Sequence, residues 1–151
     1  MNAADKHGNI AIHYAAAGGH VSCVQLFLET AYFVAPGHYS PPLFPVDVCN
    51  KRGDSPLLLA AGGTNVKLVE YLLDNKGGGA NIEGGGSDAY PCFVTPLMRA
   101  CERGQIKVAL LLLQRGADKE ARDSKGLTPL HYAAAGRRLF LRYIKTRTRA
   151  H

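Results

Sequence analysis

Apolar side chains recur along this chain in short bursts at helical spacing. Val24, Phe27 and Leu28 form one burst and Leu68, Val69, Leu72 and Leu73 another, with Leu112 and Leu113 in a third. Each burst puts its apolar residues on one face of a helix. Ahead of each lies a second kind of segment, starting at Ile10-Ala11-Ile12-His13, Ser55-Pro56-Leu57-Leu58 and Thr95-Pro96-Leu97-Met98, with a fourth start at Thr128-Pro129-Leu130-His131. Paired small residues follow each start at the same offset: Ala15-Ala16, Ala60-Ala61, Ala100-Cys101 and Ala133-Ala134. Polar or glycine pairs, Gly19-His20, Thr64-Asn65 and Gly104-Gln105, then separate this segment from the apolar burst. The pattern predicts a helix–turn–helix unit repeated four times.

Each recurring residue has a physical task. Ser or Thr before Pro places a hydroxyl at the N-cap and a ring at the first helical position, where no amide donor is missed. Paired small residues let neighbouring helices approach closely. Gly19 and Gly104 can take the positive φ that ends one helix and turns the chain into the next. A helix pair with one apolar face cannot bury it alone, so the units must stack.

This pattern resembles the ankyrin repeat family, whose unit is about 33 residues of β-turn plus two helices. The match is best over residues 123–135, Asp-Ser-Lys-Gly-Leu-Thr-Pro-Leu-His-Tyr-Ala-Ala-Ala, and nearly as good from Asp5 to His20. The expected fold is an all-α repeat solenoid, with stacked helix-turn-helix units joined by short β-turn hairpins. One domain over residues 1–151 is expected, with units at about 5–30, 47–81, 88–118 and 121–147 and insertions at about 31–46 and 76–94. The departures are specific. Successive starts lie 45, 40 and 33 residues apart. Phe93 stands where the other units carry the turn glycines Gly8, Gly53 and Gly126, and Leu58 and Met98 replace the family's histidine. In the last unit Gly136 comes one residue early, and a one-residue shortening returns Phe140, Leu141 and Ile144 to the buried face. The chain starts inside a turn without a polar cap, which suits a covered first repeat or a longer array.

Composition adds little until it is read by position. The net charge of +6 comes wholly from the tail: from Arg137 onward there are six basic side chains and no acidic one, and the body is neutral. Cys23, Cys49, Cys92 and Cys101 form no Cys-x-x-Cys pair, and the start of the chain has no signal-peptide pattern. A reducing, cytoplasmic setting is expected, with the nucleus as an alternative.

Chemistry is scarce. His13 and His131 have no nucleophile or carboxylate at a recurring spacing, and the resemblance implies that they hydrogen-bond between adjacent units. The glycine triplets 77–79 and 84–86 lack the Lys-Ser/Thr and preceding strand of a phosphate loop, so residues 76–88 read as a flexible linker. The insertion 31–46 carries Pro42-Leu43-Phe44-Pro45 among four aromatics, and is read first as a cover folded on the solenoid. Arg138, Arg142, Lys145 and Arg149 fall on one face of a final helix. That stripe suits nucleic acid or an acidic membrane, but a solvated cap or an import address explains it more simply.

No enzyme activity, cofactor, metal or small-molecule substrate is expected. The resemblance implies a protein-interaction scaffold that binds its partner through turn tips and the concave face of the first helices. The tips are Lys6, His7 and Asn9, then Lys51, Arg52 and Asp54, then Ser124, Lys125 and Leu127. The helix positions are Tyr14, Leu59, Arg99, Glu102, Arg103 and Tyr132, with Arg99 and Arg103 suited to a partner's carboxylate. The rival expectations are an anion binder acting through the basic tail, or the regulatory arm of a longer protein.

Overall fold

The computed structural model describes residues 3–29, 45–74, 79–84 and 93–136. Among them are seven α-helices and no strand: α1 (Ala11–Ala17), α2 (Val21–Glu29), α3 (Pro56–Ala61), α4 (Val66–Leu73), α5 (Pro96–Arg103), α6 (Ile106–Gln114) and α7 (Pro129–Gly136). The first helices stack in the order α1, α3, α5, α7, and the second helices in the order α2, α4, α6. This is the predicted all-α solenoid. Residues 31–44 of the insertion 31–46, the basic tail with Phe140, Leu141 and Ile144, and hence the last unit's second helix lie outside the described residues.

The core runs between the two helix layers. Leu57, Leu97, Leu68, Leu72 and Leu112 are fully buried, with Ala60, Ala61, Ala100 and Cys101 allowing the first helices to close up. Burying each large side chain contributes about 1.5–3 kcal/mol. Ser55 Oγ and Thr95 Oγ1 accept from the amides of Leu58 and Met98, at 3.3 and 3.2 Å, and cap α3 and α5. Gly19 and Gly104 adopt φ of 72° and 68°, as the turns require.

One expectation needs correcting. Residues 79–84, the described part of the run 76–88, are not a plain linker, because they are held on both sides. Gly79 and Ala80 close α4 by donating to the carbonyls of Asp74 and Leu72. Asn81 N–H donates to Asp47 Oδ1 at 3.0 Å, and Glu83 Oε1 accepts from Asp118 N–H at 2.7 Å. These bonds tie the run to the second and third units.

Candidate functional site

Three turn tips share one construction. Oδ1 of Asp5 accepts from the amides of His7 and Asn9, Oδ1 of Asn50 from Arg52 and Asp54, and Oδ1 of Asp123 from Lys125 and Leu127, all at 2.8–3.0 Å. A short acceptor side chain thus replaces the missing backbone partners of the turn. Gly8, Gly53 and Gly126 supply its left-handed residue, with φ of 77–79°.

In the first and fourth units the helix tyrosine locks the tip. Tyr14 Oη donates to Asp5 Oδ2, and Tyr132 Oη donates to Asp123 Oδ2 at 2.8 Å. The Tyr14 hydrogen bond, helped by Asn9 and His7, holds the Asp5 carboxyl well below the usual range, and the same bond raises the Tyr14 phenol. Desolvation works against ionising Asp123, but hydrogen bonds from Leu127, Tyr132 and Lys125 lower its pKa on balance. Desolvation, then the bond to Asp123, pushes Tyr132 up to about 12.

The tips are not evenly spaced. The first two are laced together: Lys51 N–H donates to His7 O at 3.0 Å, Lys51 Nζ to Lys6 O at 3.1 Å, and Asn50 Nδ2 to Asn9 Oδ1 at 2.8 Å. A Cβ at Gly8 would press on the Lys51 backbone at 2.9 Å, whereas one at Gly126 would meet nothing within 4 Å. Between the second and fourth tips lies a cleft of about 810 Å³. Phe93 and Val94 line it, as do Leu59, Arg99 and Arg103 of the first helices. Tyr132, Ser124, Lys125 and Leu127 form the side belonging to the fourth unit. Phe93 is 53% exposed and Leu127 36%.

Nine of the expected contact residues therefore meet in one place: Arg52, Asp54, Leu59, Arg99, Arg103, Ser124, Lys125, Leu127 and Tyr132. Lys6, His7, Asn9, Tyr14, Lys51 and Glu102 do not line the cleft. Two of the expected contact residues are already engaged within the chain. Arg99 Nη1 bonds Glu102 Oε2 at 2.8 Å and Nη2 approaches Asp54 Oδ1 at 3.9 Å. Asp54 is not an exposed tip: its side chain is 8% exposed, bonded to Arg52 Nε and Asn50 Nδ2 at 3.1 Å each. Sequence reasoning missed Phe93, Val94, Asp123, Ala17, Gly62 and Gly63 in the lining. Phe93 carried a signal, as the one bulky residue in the turn-glycine column.

His13 bridges two units as expected, but exposed His131 does not, because among the described residues its bonds reach only Thr128 of its own unit. His13 is buried; Nδ1 accepts from Ile10 N–H at 3.1 Å and Nε2 donates to Val48 O, in the next unit, at 3.0 Å. Desolvation lowers the His13 pKa, against the pull of the Val48 carbonyl. In the third unit Met98 Sδ takes the acceptor role, receiving Thr95 N–H at 3.4 Å. The Cys101 thiol is buried, and desolvation pushes its pKa up to about 12. Among the described residues no group of three His, Cys, Asp or Glu side chains is placed to hold a metal ion.

Comparison with known proteins gives the class. A sequence profile described as ankyrin repeats matches in three copies, over residues 1–84, 42–123 and 85–148. The chain belongs to the ankyrin repeat family, whose repeats are generally protein–protein interaction modules. It is 41% identical to the ankyrin repeat, SAM and basic leucine zipper domain-containing protein 1 of Echinops telfairi over 96 residues, 60% of this chain and 18% of that one. It is 34% identical to the ankyrin repeat and SOCS box protein 11 of Danio rerio over 120 residues, 79% of this chain and 34% of that one. Alpha-latrotoxin-Lh1a of Latrodectus hasselti is 27% identical over 137 residues, 90% of this chain and 9% of the toxin. The chain thus spans between 9% and 34% of the length of these relatives.

Proposed function

We propose that this chain is a non-catalytic scaffold, or adaptor, that binds a protein partner through the concave cleft between its second and fourth turn tips. The observation that carries the reading is the exposure of Phe93 and Leu127 inside a cleft walled by rigid, hydrogen-bonded tips. Exposed apolar area on a preorganised frame binds without a large ordering cost. Tyr132 adds an aromatic anchor already fixed by Asp123. The non-catalytic part rests on use: both nitrogens of His13 are spent on backbone partners, and the Cys101 thiol is buried in its protonated form. No described helix is long and apolar enough to cross a membrane. We place the activity in the cytoplasm, with the nucleus as the alternative.

The test is capture from cell extract by the full chain and by the Phe93→Ser/Leu127→Ser double variant, at low and high salt. Both residues are exposed, so the variant should keep the parent's circular dichroism. A protein held by the full chain at both salt levels and lost by the variant fits the proposal. A partner retained by the variant but released by salt contradicts it, and points to the basic tail residues Arg138, Arg142, Lys145 and Arg149.

A further inference from the structure

The charges lining the cleft are not equivalent. Arg52 and Arg99 are both drawn to the buried Asp54, and Arg99 also pairs with Glu102. Asp123 is engaged by Tyr132 and by two backbone amides. Both carboxylates in the lining are therefore already partnered. Arg103, at the end of α5, and Lys125, at the fourth tip, make no salt bridge within 4.0 Å among the described residues, and both are exposed, although Lys125 also feels the Asp123 carboxylate. The net charge of the cleft is positive, and the same lining holds the exposed apolar side chains of Phe93 and Leu127.

Resting on the concave-face reading above, we propose that this cleft selects peptide segments in which an aspartate or glutamate flanks a bulky apolar side chain. The apolar side chain packs on Phe93 and Leu127, and the carboxylate is received by Arg103 or Lys125. Charge complementarity sets the choice: a basic segment meets a lining of four cations and two carboxylates, and a purely apolar one leaves the excess positive charge unused. A polyphosphate backbone is disfavoured because the Asp123 carboxylate stands in the same lining and two apolar side chains contribute nothing to it.

The experiment is selection of a phage-displayed random peptide library on the full chain, followed by affinity measurement on three proteins. These are the parent, Arg103→Glu/Lys125→Glu and Phe93→Ser/Leu127→Ser. The proposal expects Asp or Glu beside Leu, Ile or Phe in the selected peptides. It expects about tenfold weaker binding to the charge-reversed variant, and loss of binding to the apolar variant. Selected peptides without acidic residues, or with affinity unchanged by charge reversal, overturn it. If those peptides are still lost on the apolar variant, the concave-face reading survives while the acidic preference falls. If they bind the apolar variant as well as the parent, both fall. A single-stranded RNA oligonucleotide that displaces the peptides through Arg103 and Lys125 also overturns the assignment.

Discussion

The first and fourth units carry nearly the same motif, yet the molecule uses them differently. Both build the tip on an aspartate, turn at a positive-φ glycine and fasten the tip with a tyrosine nine residues on. Beyond that local construction they diverge. His13 is buried with both ring nitrogens engaged, one of them across the unit boundary to Val48. His131 is exposed, and its hydrogen bonds, through Nδ1, stay within its own unit, to Thr128. The first tip is laced to the second, whereas the fourth borders the cleft. A repeat motif therefore sets the turn and the cap, and the neighbour decides whether a motif residue is core or surface.

The largest effect should come from the histidine pair. His13→Ala leaves the Ile10 amide and the Val48 carbonyl without their partner and opens a cavity, which should cost about 3 kcal/mol in urea unfolding. His131→Ala, at an exposed site, should cost under about 1 kcal/mol. Equal losses would sink the contrast between the two ends.

Next comes the glycine that follows the three alanines of the first and fourth units. A Cβ at Gly136 would collide with the carbonyl of Glu102, whereas one at Gly18 would meet chiefly the movable His20 ring. Gly136→Ala should destabilise by about 2 kcal/mol, and Gly18→Ala by no more than about 0.5 kcal/mol. Thermal melts of the two variants settle which end is tightly packed.

The His13 environment also sets a pH dependence. Its folded pKa lies below the ordinary 6.5, so the unfolded chain binds the proton more readily. Stability is full above about pH 6.5 and is lost as pH falls through the lowered folded value. In His13→Gln that part of the loss should vanish, which urea midpoints measured across the window will show.

The smallest effect belongs to the tip locks. Tyr14→Phe and Tyr132→Phe each remove one phenol bond to a half-buried aspartate. Each should lower the melting midpoint by less than Gly136→Ala does. Hydrogen exchange at the Asn9 and Leu127 amides should quicken, because the aspartate that accepts them is freed to rotate.

Much of this architecture was legible from residues whose effect is local. Ser55 and Thr95 had to cap, Gly19 and Gly104 had to turn, and the alanine pairs had to face neighbouring helices. The four units follow from those constraints. What stayed hidden depends on groups far apart in sequence. Arg99 reads as a free guanidinium until Asp54, in the previous unit, is brought beside it. Asp54 reads as a tip residue until its burial is seen. Met98 reads as a lost histidine, although its sulfur can accept the same N-cap amide. The cleft itself was announced only by Phe93 standing in the glycine column. Its volume depends on how far apart the second and fourth tips stand, which no motif records.

The central claim is that partners enter the cleft beside Phe93. A photo-crosslinking phenylalanine analogue placed at Phe93, and in a second protein at the exposed Lys67 of α4, tests it directly. The account predicts covalent protein adducts from Phe93, suppressed by an excess of unlabelled full chain, and none from Lys67. Adducts from Lys67 with none from Phe93 would place the working surface on the other side of the solenoid and contradict the account.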